Sequence, residues 1–303
     1  MAIQYLTYAE IDLKKWDDCI LRANNGLIYA YSFYLNQMAP NWDALVMDDY
    51  DAVMPLTWNK KYGIHYLYQP AFTASLGVFG KDIDASKLNA FLNAIPDKFK
   101  YWDICLNHQN CFPVADFTLY ERVNYVLPLQ QPYEILFSQF RESTQRNIKK
   151  SKDLNCVIKK NIAAEDIISL SQTQALKFDA VTNEDFKHIG NLYSLLLQQE
   201  QACNYAVYSN SELVAAALFF FSNKRAYYIL VGNHPNSKVL GASHALINAF
   251  IKDHAEQDLS LDFEGSDISS LAFFYGSFGA VIEKYAALRL NRLPVWAKWM
   301  KRS

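Results

Sequence analysis

Residues 227–265 constrain this chain more than any other stretch, because they read as one complete strand–loop–helix–strand unit: YYILVGNHPNSKVLGASHALINAFIKDHAEQDLSLDFEG. Tyr227, Tyr228, Ile229, Leu230 and Val231 form a short β-prone run. Residues 232–237 carry one Pro and two Asn, which is turn chemistry. Leu246, Ile247, Phe250 and Ile251 recur at helical spacing within residues 240–254. Residues 259–263 alternate and read as a second strand. Such an order requires a sheet with helices packed on it.

The chemistry gathers where the loop becomes the helix, at Lys238, Gly241, Ala242 and Ser243. A helix start leaves its first backbone N–H groups unpaired and carries partial positive charge. Gly241 lets the backbone approach a ligand closely and Lys238 adds a cation, which suits a pyrophosphate. One Gly and one Lys near a helix start also describe an ordinary loop, so spacing alone leaves both readings open.

At 303 residues the chain has the length of two domains, and 51% hydrophobic residues supply a core for each. A net charge of -2 excludes a chain-wide nucleic-acid footprint, so any phosphate-binding face must be local. Five cysteines without a C-x-x-C pair point to reduced thiols in a cytoplasmic protein, and argue against a disulfide framework or a zinc site. The six histidines show no metal-ligand spacing, and His244 is read as a surface or packing residue of its helix. No G-x-S-x-G elbow and no phosphate loop of the G-x-x-x-x-G-K-[ST] type is present. The longest apolar run, residues 213–221, suits a strand buried on both faces and is too short to span a membrane.

Taken in order, residues 3–8 predict a strand and 9–23 a helix, with Ser32 as N-cap of a helix over 33–38. Strands follow at 42–47, 51–58, 64–68 and 71–79, then a helix at 84–95 and a strand at 101–106. Residues 127–132, with two Pro and two Gln, mark the boundary. Beyond it come helices at 133–140, 141–154, 165–178 and 186–202, with strands at 156–160, 205–209, 213–221 and 280–290. Residues 141–160 hold seven basic and two acidic residues, and Arg146, Lys149 and Lys150 share one helix face. That face is either a phosphate-binding surface or simply solvated.

Three patches, in order, resemble a known family. Lys238-Val239-Leu240-Gly241-Ala242-Ser243 resembles the [Arg/Gln]-x-x-Gly-x-[Gly/Ala] loop of the GNAT acyltransferase superfamily. Residues 261–266 with Phe273-Phe274-Tyr275-Gly276-Ser277-Phe278-Gly279 resemble the ending of its FemAB-like branch of peptidyl, aminoacyl and acetyl transferases. Residues 125–129 and 140–152 resemble that branch's entry into its second domain. The resemblance implies an α/β fold of two GNAT-like domains, residues 1–128 and 129–303, each a mixed sheet flanked by helices, with the last ~10 residues returning to the first domain. It implies transfer of an acyl or aminoacyl group to an amine in an interdomain cleft. The donor is acyl-CoA held by Lys238, Gly241, Ala242 and Ser243, or alternatively aminoacyl-tRNA, with phosphates on Arg146, Lys149 and Lys150. The acceptor is a small-molecule or peptidoglycan-precursor-like amine, with no metal and no membrane span. On a strand Asp262 and Glu264 share a face, which makes Glu264 a candidate base and Asp262 a candidate for orienting the amine, with Tyr275 as proton donor. The rival reading is a non-catalytic ligand-binding or scaffold protein on the same fold.

Overall fold

Short β-prone runs alternating with amphipathic helices build mixed β-sheet with helices packed on it in a computed structural model that describes residues 2–175, 181–265 and 267–294. Residues 2–122 with 284–294 form one unit, and Val123–Glu283 the other. The expected return of residues 296–300 to the first domain lies outside the described residues.

In the first unit, β1 (Ile3–Leu6) leads through α1 (Leu13–Arg22) and α2 (Ser32–Met38) to β2 (Trp42–Met47). Asp12 caps α1 by accepting from the Lys14 and Lys15 amides, so this helix starts later than its apolar pattern suggests. Ser32 is not a cap. It is the first helical residue, and its hydroxyl and amide both donate to Asp17. Strands β3 (Ala52–Lys61) and β4 (Ile64–Tyr68) continue the antiparallel sheet, and the short β5 (Phe79–Gly80) pairs with β3. Of residues 71–79, expected as strand, only Phe79 lies in one. Helix α3 (Ala85–Asn93) then crosses over to β6 (Phe99–Leu106), which runs parallel to β4. It buries Leu88, Phe91 and Leu92 against Leu45, Leu56, Trp102 and Leu106. Full burial of each such side chain is worth about 1.5–3 kcal/mol.

The second unit begins within β7 (Leu119–Pro128), followed by α4 (Tyr133–Ser138), the basic α5 (Glu142–Asp153) and β8 (Val157–Lys160). Helices α6 (Ala164–Ala175) and α7 (Asn183–Gln198) lead to β9 (Ala202–Ser209), β10 (Glu212–Ser222) and β11 (Arg225–Asn233), an antiparallel run. Residues 214–220 of β10 are buried on both faces between those neighbours, as the unbroken apolar run demands. After β11 come α8 (Ser237–Leu240), α9 (Ala242–His254) and β12 (Ser260–Asp262), which is parallel to β11. Helix α10 (Ser269–Gly276) and β13 (Val281–Asn291) are the last elements among the described residues.

The two units repeat one topology without a repeated sequence. Strand, two helices, three antiparallel strands, crossover helix and parallel strand occur as β1 to β6 and again as β8 to β12. The final strand of each sheet is exchanged. Strand β7 follows β6 in the chain but pairs with β12, and β13 follows β12 but pairs with β6 from residue 286 on. Among the described residues no helix is long and apolar enough to cross a membrane.

Candidate functional site

The parallel pair β11–β12 comes apart, and that opening makes the site. The two strands are in register at only three positions, Arg225–Ser260, Ala226–Leu261 and Tyr227–Asp262. Strand β12 stops there, whereas β11 runs on to Asn233. Two turns of backbone conformation end β12: Glu264 has φ +67° and Gly265 φ +83°. Asn124 and Asp262 hold that turn. The Asp262 carboxylate accepts from the Glu264 amide (2.9 Å) and from the Asn124 side-chain amide (2.8 Å), and Asn124 accepts from the Gly265 amide.

Beyond the turn lies a cleft of about 720 Å³ within the second unit. Strand β11 lines it with Tyr228, Val231 and Asn233, α8 with Ser237 and Lys238, and α9 with Ser243 and His244. Helix α10 supplies Leu271, Phe273, Phe274 and Tyr275, and α5 supplies Ser143, Thr144 and Asn147. The start of α5 is tied to the end of α10: the Arg141 amide donates to the Ser277 carbonyl (2.9 Å) and the Thr144 hydroxyl to the Ser277 hydroxyl (2.7 Å). Arg141 also lies over the exposed Phe273 ring, 4.5 Å from its centroid.

Of the residues singled out in the sequence, Lys238, Ser243 and Tyr275 meet in this cleft. Lys238 is exposed on its rim. The Ser243 hydroxyl donates to the Asn233 side chain at 2.7 Å. Gly241 and Ala242 have a different place. Gly241 takes φ +68° between α8 and α9, so the helix starts at Ala242 rather than at residue 240. A Cβ on Gly241 would run into the carbonyl oxygen of Asn147, so the space that this glycine leaves is filled by α5. Ala242 is fully buried beneath it.

Arg146, Lys149 and Lys150 are exposed on the side of α5 opposite its buried Thr144, Ile148 and Ser151, and none of the three lines the cleft. Asp262 is 4% exposed and sits in an ion-pair network: Arg225 donates to Asp262 at 2.9 Å and to both oxygens of Glu283 at 2.6 and 2.9 Å. Its carboxylate is thereby committed to shaping the turn. Glu264 is half-buried on that turn, and its charge acts on Tyr275.

Tyr275 stacks on Phe263 with ring centroids 4.6 Å apart, and burial first, then the Glu264 charge, pushes its phenol up to about 12. It therefore stays protonated throughout the neutral range. His244 was legible as a helix residue but not as part of a site. It sits in the first turn of α9 with its ring against Phe274 (4.8 Å) and Phe278 (5.8 Å), and burial pushes it down to about 4. Its Nε2 lies 3.5 Å from the Asn147 side-chain nitrogen. Ser143, Thr144, Asn147 and Tyr228 were not singled out as site residues, because five separate elements bring the lining together. Among the described residues no group of three His, Cys, Asp or Glu is placed to hold a metal ion.

No family model matches the chain, and no curated protein matches it by sequence. Solved structures do match it in fold. FemX has a TM-score of 0.66 at 12% identity, over 94% of this chain and 97% of that one. A conserved protein of unknown function from Bacteroides thetaiotaomicron has 0.61 at 14%, over 95% and 99%. A tandem GNAT protein from the clavulanic acid biosynthesis pathway has 0.55 at 10%, over 97% and 99%. Together with the duplicated topology, these likenesses give the chain a FemAB-like GNAT-type fold made of two GNAT-like units.

Proposed function

We propose that the chain is an N-acyltransferase that moves an acyl or aminoacyl group from a thioester or tRNA ester to an amine, with the cleft of the second unit as its donor site. The observation that carries this reading is the opening between β11 and β12, with a buried phenol inside and an ammonium group on its rim. A bound donor supplies an electrophilic carbonyl carbon. The amine nitrogen bonds to that carbon, the carbon–sulfur or carbon–oxygen bond breaks, the departing atom gains a proton and the amine loses one.

Lys238, exposed on the rim, is the candidate partner for a donor phosphate. The Tyr275 hydroxyl is the proton donor of the site, to the carbonyl oxygen or to the departing atom. Glu264 is the candidate base for the amine. Asp262 is a positioning residue that holds the turn carrying Glu264. Arg146, Lys149 and Lys150 remain the candidate phosphate contacts for an RNA-borne donor, since all three are exposed on one helix face. The likeness to FemX and to a tandem GNAT protein supports a transferase over a scaffold.

Thermal unfolding with about 1 mM acetyl-CoA, free CoA or AMP tests the thioester donor. At ~100 times its dissociation constant a ligand adds about 2.7 kcal/mol. A higher midpoint with both CoA species but not AMP, lost in Lys238→Ala, supports it. Salt-sensitive binding of aminoacyl-tRNA, lost in the Arg146/Lys149/Lys150 triple alanine variant, supports the ester donor instead. In either case Tyr275→Phe should lower kcat roughly 10²-fold with little change in KM. Neither binding nor turnover with any of these donors would leave the scaffold reading in possession.

A further inference from the structure

We infer that the group held in this cleft is an uncharged, bulky apolar acyl chain rather than an acetyl group or an aminoacyl group with its ammonium. The inference rests on the transfer reading above and specifies its donor.

Size comes first. A volume of about 720 Å³ is in the range that encloses a drug-sized molecule, room for the thioester end of a carrier and for an acyl chain beyond it. Character comes second. Val231, Leu271, Phe273 and Phe274, with the ring of Tyr228, contribute apolar surface to its lining. Leu271 and Phe273 are exposed, as are their near neighbours Val239 on α8 and Ile268 ahead of α10. Large apolar side chains clustered at a concave opening mark a surface that a ligand covers. Helix α10 explains their origin. Its sequence, Ser-Ser-Leu-Ala-Phe-Phe-Tyr-Gly, is apolar on every side, yet only Tyr275 of its residues is buried. The remaining apolar surface is left facing the cleft and its rim.

Charge comes third. Among the described residues that line the cleft there is no carboxylate, and His244 is held neutral. An ammonium carried onto the wall of Leu271, Phe273 and Phe274 would lose water with no carboxylate among the lining residues, which is costly, whereas Glu264 acts beside Tyr275, on the turn after β12. The cations Lys238 and Arg141 instead stand at its edge, with Lys238 lining the rim and Arg141 over Phe273. An apolar wall with cations at the edge is complementary to an acyl chain on a phosphate-bearing carrier.

The test is calorimetric titration of the full chain with acetyl-CoA, octanoyl-CoA, lauroyl-CoA and lauric acid, alongside Leu271→Trp, which fills the cleft, and Phe273→Ser, which removes an exposed wall without touching the core. Lauroyl-CoA should bind at least ~tenfold more tightly than acetyl-CoA, the gain from burying two or more methylenes. Both variants should erase that difference. Equal affinities for short and long chains overturn the inference, as does a chain-length preference that survives both substitutions. Consumption of aminoacyl-tRNA alone also overturns it. A separate assay of thioester consumption with amine acceptors distinguishes the two levels. Long-chain binding that both variants abolish, without any thioester consumed, keeps the cleft assignment and refutes transfer. Consumption of acetyl-CoA and lauroyl-CoA with equal efficiency keeps transfer and refutes the assignment.

Discussion

His244 shows how one residue couples the site to the stability of its unit. Its imidazole is held neutral by burial against Phe274 and Phe278, with a folded-state value near 4 in place of the usual 6.5. Between those two values the unfolded chain binds a proton that the folded chain does not, so stability falls as pH falls from 6.5 towards 4. His244→Gln, which cannot take up that proton, should flatten the thermal midpoint against pH over this window; an unchanged slope would show that other groups set it. The residue was visible in the sequence as part of a helix, but its role was not. Nothing in residues 240–254 tells which helix position meets an aromatic pair that arrives from residues 274 and 278. Asp262 is the converse case. Its place at the end of a strand was legible and suggested chemistry, yet Arg225, 37 residues earlier, and Asn124, 138 residues earlier, engage its carboxylate. Long-range partners of this kind leave no mark on local spacing.

The α8–Gly241–α9 element was half legible. A glycine at the loop-to-helix junction was evident, as was the helix after it, because Leu246, Ile247, Phe250 and Ile251 recur with helical period and are all buried. The reason for the glycine was not evident. Its left-handed backbone and its missing Cβ admit the Asn147 carbonyl, so the glycine sets how closely α9 approaches α5. Gly241→Ala should therefore destabilise the fold, by ~1–2 kcal/mol from the left-handed backbone alone and by more from the clash. At ~2–4 °C per kcal/mol the loss is measurable by thermal unfolding without any ligand. An unshifted midpoint would mean that the turn relaxes freely and that the glycine serves something other than packing. Lys238 is then the cleaner probe of donor binding, because it is exposed and removing its ammonium leaves the helix contact intact. Helix α10 went unread for a different reason: a helix apolar on all sides has no amphipathic period to detect, and only the family resemblance drew attention to its Phe and Tyr residues.

The duplicated topology was implied by the family resemblance, but not the exchange of final strands, since a strand's partner is a matter of sheet topology rather than of its own residues. That exchange makes the two halves unequal as fragments. Residues 123–283 contain β8 to β12 and the paired part of β7, so their sheet is complete. Residues 1–122 lack β13 and leave β6 without the partner that it has at Tyr101, Trp102, Asp103, Ile104, Cys105 and Leu106. A strand with one open edge and with Trp102 and Leu106 among its core side chains is a template for pairing with another chain. Expressed alone, residues 123–283 should be monomeric and unfold cooperatively, whereas residues 1–122 should self-associate. A synthetic peptide of residues 284–294 should return the shorter fragment to a monomer by supplying the missing strand, as added strands do at open sheet edges. Size-exclusion chromatography and circular dichroism of each fragment, with and without the peptide, decide the matter. A monomeric, cooperatively folded 1–122 fragment that ignores the peptide would mean that β13 contributes little to the first sheet, and that the exchange is a consequence of chain path rather than a requirement of the fold.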